Sequence, residues 1–431
     1  MGLTTEPNSR ETIRSLNQWP FSFVDSRLNP WRGLSGLPRE VWLLFATNLI
    51  NRAGMMVLPF LVVYLTRDLR FTAADAGAAL AVYGVAAIVA GPLSGWLSDR
   101  IGALPIMRAS LLMSGSVLLF FPLARSRLAV YATTMVWAAC AELFRPASLA
   151  AITHVVSKEQ RKPAYALNRL AINLGMSVGP ALGGFLAAVS FRAMFFVDAM
   201  TTIVAGLVLS LSRWRASTRQ SIGDTETSEQ RADARSLLYD WRLMVFLSAS
   251  FLVGIVFYQH ESALPLYLVQ YLSRSPAFYG TLFTINTLLI VAFEVPLNRA
   301  TAHWPNVWAL FAGCMLFAIG FGALAIVTSA AGVLVTVIVW TFGEMMLFPA
   351  MAAHLGEIAP EHKRGAYMGA YSMSLAVALA FGPWLGTRLL AGAGPVTVWA
   401  VMFALGALAA VLMVYGARRR APLRVVVAAE S

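Results

Sequence analysis

The sequence predicts an all-α membrane protein whose twelve transmembrane helices form two pseudo-symmetric six-helix bundles. Three observations predict this: a composition too apolar for a water-soluble domain, apolar runs of spanning length along the whole chain, and an internal repeat that relates its halves. Of 431 residues, 58% are hydrophobic and only 13% are charged, with a mean hydropathy of +0.67. Such a chain needs lipid as its solvent. Apolar runs fall at 41–66, 75–98, 104–123, 127–154, 163–189, 191–212, 241–270, 277–299, 305–328, 330–356, 363–391 and 395–417. Each has the roughly 20 residues that cross about 30 Å of hydrocarbon as a helix.

The only long polar stretch between runs, 213–240, lies near the middle of the chain and reads as a linker. It divides the chain into an N-terminal segment 1–40, a first bundle 41–212, the linker, a second bundle 241–417 and a tail 418–431. The halves resemble one another. Trp137/Trp340, Pro146/Pro349, Arg161/Arg364, Gly179/Gly382, Pro180/Pro383 and Gly183/Gly386 are all 203 residues apart, and Glu142/Glu344 are 202 apart. Six matches at one offset indicate an internal duplication. Parallel six-helix halves with a site near the midplane between them are an architecture of secondary transporters.

The formal charge of +12 is explained by topology rather than by nucleic acid. Most of the basic residues fall on the side that holds the N-terminus, including Arg100 and Arg108, Lys158, Arg161 and Lys162, the linker and the tail. The positive-inside rule then places both termini in the cytoplasm of a multi-pass protein of the cell's inner membrane. Residues 1–40 have no apolar core of signal-peptide length, so the first span is expected to act as an uncleaved anchor. Trp19, Phe21, Phe23 and Trp31, among arginines, either lie at the membrane interface or belong to a disordered tail. Cys140 and Cys314 fall in spans of different halves, which reads as packing and not as a disulfide.

Two motifs carry a family resemblance. The loop after the second span reads Gly95-Trp-Leu-Ser-Asp99-Arg100-Ile-Gly102, with Arg108 further on. The fifth span reads Gly175-Met-Ser-Val-Gly179-Pro180-Ala-Leu-Gly183-Gly184. The first resembles the G-x-x-x-D-R/K-x-G-R/K-R/K signature loop of the major facilitator superfamily. The second resembles the G-x-x-x-G-P-x-x-G-G pattern of its exporter branches, especially drug:proton antiporters. The basic pair after the second Gly of the loop is replaced by Ala103-Leu104-Pro105. Glu294-Val-Pro-Leu-Asn-Arg299 resembles a degenerate second-half copy of the loop. The resemblance implies a cytoplasmic gate of Gly95, Asp99, Arg100 and Gly102, joined by Arg169. There Asp99 pairs with a charge or caps a neighbouring helix, and Gly95 permits close approach. In the fifth span, small residues four apart let helices pack backbone to backbone, and Pro180 weakens the ladder where a bend is useful.

Ionisable side chains within spans cost roughly 2.5–3.5 kcal/mol on insertion scales and mark function by default. They are Arg52, Glu142, Arg145, Arg169, Asp198, Glu261, Glu294 and Glu344. Glu344 has no basic neighbour along its helix, and an unpaired carboxylate in a low-dielectric cavity can load and release a proton. It leads the proton-coupling candidates, followed by Glu261 and Glu142. Glu142 and Arg145, three apart, share a helix face and either pair structurally or serve the site. His260 precedes Glu261 but points about 100° away on a helix, and reads as a packing histidine. Arg52, Asn51, Tyr258, Trp340, Arg145 and Asn173 are the candidate cavity residues. Asp198 and Glu294 read as structural.

These features predict a proton-coupled exporter of amphipathic or drug-like small molecules working by alternating access, with a proton symporter importing a peptide or organic acid as the alternative, anchored by Arg52. The expected partners are a small-molecule substrate, protons and membrane lipids, with no nucleic acid and with the chain acting as a monomer. An enzyme is not expected, because no nucleophile arrangement, metal cluster or soluble domain is legible. No glycine-rich phosphate loop points to ATP, and no cofactor or metal is implied.

Overall fold

A computed structural model describes residues 36–157, 160–212, 214, 239–360 and 363–418. The interfacial reading of residues 1–35, most of the linker and the basic tail lie outside the described residues. The described chain contains helices and no strand. The spans are α1 Arg39–Arg67, α2 Ala73–Ile101, α3 Ala103–Leu123, α4 Arg127–Val155, α5 Arg161–Val189, α6 Phe191–Leu211, α7 Trp241–Tyr271, α8 Pro276–Ala300, α9 Asn306–Ala325 and α10 Ala330–Ile358. Helix Arg364–Arg418 is divided at Gly394, whose φ of 82° only glycine adopts readily, into α11 (364–393) and α12 (395–418). The face that carries the N-terminal end of α1 and the 212–240 connection is called the near face below, and the opposite one the far face.

The far-face helix starts share one device. Thr72, Ser126, Ser190, Ser275 and Ser329 each accept a hydrogen bond from the backbone N–H three residues on, at 3.1–3.3 Å. These caps satisfy donors that the start of α2, α4, α6, α8 or α10 would otherwise leave unpaired next to lipid.

Two spans are broken, a departure from the continuous helices that hydropathy predicts. In α1 the helix stops at Gly54 and resumes at Val57. In α7 a 3₁₀ turn, Tyr258–Glu261, and a short helix, Ala263–Leu266, precede a π turn, Tyr267–Tyr271. A third irregularity interrupts α4 at Glu142 and Leu143. A proline follows each of the three. Pro59, Pro265 and Pro146 supply no N–H, and the carbonyl four residues earlier, of Met55, Glu261 and Glu142 respectively, loses its helical partner. Polar side chains take up freed backbone groups at two of these points. The Asp198 carboxylate accepts from Met56 N–H at 2.9 Å and Val57 N–H at 2.8 Å. Gln259 donates to Ile255 O and Gly382 O at 2.8 and 2.9 Å.

The glycine motif seats these breaks. A Cβ on Gly175 would lie 2.5 Å from Arg52 Cβ, one on Gly179 2.7 Å from Arg52 O, and one on Gly183 2.9 Å from Met56 Cβ, so one glycine face of α5 receives the bend in α1. Gly382 and Gly386 of α11 abut Ile255 and Gln259 at the break in α7 in the same way. Between the bundles, Gly280 of α8 meets the Pro180 carbonyl, and Gly77 of α2 meets the Pro383 carbonyl. Both members of this pair of crossings are related by the offset of 203. Gly280→Val places a side chain into the Pro180 carbonyl. It is expected to destabilise the protein by about 1–3 kcal/mol, measured by thermal unfolding in detergent.

The two bundles are sealed toward the far face. Residues 57–65 of α1 and 263–269 of α7 are buried throughout. The Tyr279 hydroxyl donates to His260 O at 2.7 Å, and its ring packs on Phe60 with centroids 5.1 Å apart. Toward the near face α2 and α11 separate. Gly84 still packs on the Ala380 backbone, whereas a Cβ on Gly91, Gly95, Gly365 or Gly369 would meet nothing within 4 Å. The crevice between the bundles therefore opens to the near face.

Candidate functional site

At the midplane the three breaks converge, and with them the charges. Glu142 and Glu261 are the residues whose carbonyls Pro146 and Pro265 release, so both carboxylates stand on irregular backbone instead of on a helix face. From the first bundle come Arg52, Tyr83, Glu142 and Arg145, and from the second Tyr258, Glu261 and Tyr371, all within electrostatic reach of one another. The Tyr83 hydroxyl donates to Glu142 Oε1 at 2.7 Å. Glu142 and Arg145, for which a structural pair was one of two readings, form no ion pair within 4 Å among the described residues, because the turn at 142–143 ends the regular helix between them and Arg145 is exposed.

Arg52 donates from its Nη1 to Met55 Sδ at 2.9 Å, and its buried Nε has no partner among the described residues. Glu261 and His260 do interact, contrary to the helical expectation. In the 3₁₀ turn His260 Nε2 stands 3.6 Å from Glu261 Oε1, while Nδ1 meets Phe257 O at 2.6 Å. The His260 ring lies among Phe257, Phe283 and Trp340, with centroids 4.5, 5.3 and 6.2 Å away, at the edge of a small apolar cavity. Trp340 is in that cavity wall and not in the charged cluster, and its indole N–H has no partner among the described residues.

Glu344 belongs to a second, lateral group. Asn286 of α8 donates from Nδ2 to Glu344 Oε2 at 3.1 Å and to Thr341 Oγ1 at 3.0 Å. Its charged neighbours are Glu294 and Arg169. Those two form an ion pair between α5 and α8, and so between the bundles. Arg169 thus answers Glu294 and not the loop after α2, and Glu294, read as structural, links the halves. Asn286 was missed, although an amide in the middle of span 277–299 is a signal of a buried polar contact.

Gly95–Ile101, expected as a loop, form the last helical turns of α2 at the near face, with Asp99 and Arg100 exposed. Asp99 makes no hydrogen bond or ion pair among the described residues, and Arg100 lies over the Trp96 ring, 4.1 Å from its centroid. Gly102, with φ 90°, ends α2 and starts α3. Arg108 donates from Nε and Nη2 to Leu209 O at 3.2 and 3.1 Å and so closes the end of α6 instead of serving the loop. With α2 and α11 apart, Asp99 and Arg100 make no hydrogen bond or ion pair to the other bundle among the described residues, whereas Arg169 already pairs with Glu294. Asn173 is half-buried on α5 and Asn51 accepts weakly from Thr202 at 3.4 Å. Among the described residues no group of three or more His, Cys, Asp or Glu could hold a metal ion.

Two helical bundles about a charged midplane crevice, sealed at one face and open at the other, define a secondary transporter. The sequence profile of the Major Facilitator Superfamily matches residues 43–273 and 249–430, and the chain belongs to that family. It is a multi-pass membrane transporter of small molecules, not an enzyme. It is 26% identical to the uncharacterized MFS-type transporter YqjV of Bacillus subtilis, over 84% of this chain and 89% of that one. It is 23% identical to a Na(+), Li(+), K(+)/H(+) antiporter of Planococcus maritimus, over 78% and 85%. Multidrug resistance protein MdtH of Aeromonas hydrophila is 24% identical over 78% and 84%. Among solved structures, a peptide transporter POT bound to alafosfalin superposes with a TM-score of 0.73 at 16% identity, over 90% of this chain and 96% of that one. The nucleoside transporter NupG superposes with 0.74 at 14%, over 87% and 99%. At those identities the likeness establishes the fold.

Proposed function

We propose that the protein is a proton-coupled secondary active transporter of the inner membrane that exports amphipathic or drug-like small molecules by alternating access. The observation that carries this reading is the convergence of Glu142 and Glu261, one from each bundle, with Arg52 at the closed end of the crevice. Carboxylates on opposite bundles bind protons in one arrangement and lose them in the other when the bundles move. Glu344, held by Asn286 beside the Arg169–Glu294 pair, is the lateral proton site, placed where its charge acts on a contact between the halves. The near face is the cytoplasm, with both termini on it, and the chain acts as a monomer. Export is supported by the α5 glycine face that receives the bend in α1 and by the multidrug and antiporter names of the relatives.

A growth-protection and accumulation screen in a bacterial host lacking its own efflux pumps tests this. The protein is expected to protect against amphipathic compounds and lower their cell content, and Glu344→Gln is expected to lose the protection at equal expression. Protection unchanged by Glu344→Gln would remove that residue from coupling.

A second reading, import of a polar or anionic solute with protons, is favoured by Arg52, which has no ion pair among the described residues and faces the crevice. The same screen separates the two by direction, since import raises cell content.

A further inference from the structure

The first bundle contains a chamber of its own that adjoins the central charged cluster. It has a volume of about 50 Å³ and lies between α1, α2, α3, α4 and α6. Arg52 and Glu142 line one part of it and Asp198 and Thr202 another, with the hydroxyls of Ser110 and Ser114 between. Such a volume holds several waters by probe-occupied measure, and its walls supply the two to four polar partners each water requires. The unpartnered, buried Arg52 Nε is a donor of the kind a water satisfies.

Asp198 is 3% exposed and has two dissimilar oxygens. Oδ2 accepts both Met56 N–H and Val57 N–H, the first free donors of the outer half of α1. Oδ1 has only a 3.4 Å contact with Thr202 Oγ1. One oxygen thus holds the bend in α1 and the other is available to the chamber. The charged and titratable groups that face it are Arg52 from α1, Tyr83 from α2 and Glu142 from α4. The α3 residues that line the chamber are uncharged, and α5 contributes no residue to its wall.

The geometry points to Asp198 as an internal proton-exchanging site, reached from the central cluster through a hydrated chamber, whose charge state sets how firmly the bend in α1 is held. The carboxylate is a charge-assisted acceptor at the positive end of the outer α1 helix. A proton that binds Oδ1 leaves that end facing a neutral group and weakens both hydrogen bonds. Because Gly175, Gly179 and Gly183 of α5 seat the same bend, a looser cap acts directly on the packing of α1 against α5. The second bundle has no counterpart, since position 401 is Val, so the device belongs to one half only. Its link to transport rests on the proton-coupled reading above. The chemistry at the bend does not.

The test is amide hydrogen–deuterium exchange at residues 56–58 and 60 in the purified full-length protein, between pH 5 and pH 8, corrected for the intrinsic rate. In the wild type, exchange is expected to rise at least about fivefold on acidification, the scale of a lost helix cap. In Asp198→Asn it is expected to be independent of pH. A flat wild-type profile, or Asp198→Asn tracking the wild type, would overturn the proposal. If Asp198→Asn does not fold, Thr202→Val decides: a displaced midpoint upholds the site and an unmoved one refutes it. A protein that shows the Asp198-dependent response but no transport driven by a pH gradient would retain this site and lose the proposed function.

Discussion

Gly369→Leu and Gly95→Leu are expected to abolish transport while changing stability by no more than about 0.5 kcal/mol. In the conformation described here a Cβ at either position meets nothing within 4 Å. Alternating access requires the near halves of α2 and α11 to approach as the far halves of these helices do at Gly77 and Gly84. A leucine that is harmless in the open crevice then blocks its closure. Both variants should unfold at the wild-type temperature, retain binding from the near face and lose turnover, measured by substrate flux in proteoliposomes. Turnover within twofold of the wild type would mean that these helices do not close on each other.

Glu261→Gln is expected to uncouple transport without preventing it. One unit of pH gradient is worth 1.36 kcal/mol per proton, a limit of about tenfold accumulation for each proton exchanged. Where Glu261 carries the proton, accumulation driven by a pH gradient should fall from about tenfold toward unity. Exchange of labelled for unlabelled substrate should persist, because the glutamine preserves shape and polarity. Loss of both activities would instead assign Glu261 to substrate binding, and retention of both would remove it from coupling.

Much of the fold was legible because lipid imposes it. Hydropathy found the spans to within a few residues at most ends, and the offset of 203 that related the halves in sequence reappears as the paired crossings Gly280–Pro180 and Gly77–Pro383. The breaks were legible only in retrospect. Pro59, Pro146 and Pro265 each lie four residues after the irregular backbone, but Pro180 and Pro383 lie within continuous helix, so proline alone does not specify a break. What decides it at α1 is Asp198, 142 residues away in sequence, a contact that local pattern cannot reveal. For the same reason Asp198 and Glu294 read as structural without named partners, and their partners Met56, Val57 and Arg169 emerged only from packing. The candidate acids themselves were legible from the cost of burying charge. Their division into a central pair, Glu142 and Glu261, and a lateral Glu344 was not, because it depends on which faces α4, α7, α8 and α10 turn to one another.

Proton coupling is tested most directly by recording lumenal pH in liposomes that contain the purified protein and are preloaded with a compound identified in the growth screen. Release of the compound down its gradient should acidify the lumen as protons enter in exchange, and the acidification should vanish in Glu261→Gln. Release of the compound with no change in lumenal pH would contradict proton coupling, and alkalinisation would replace exchange with symport.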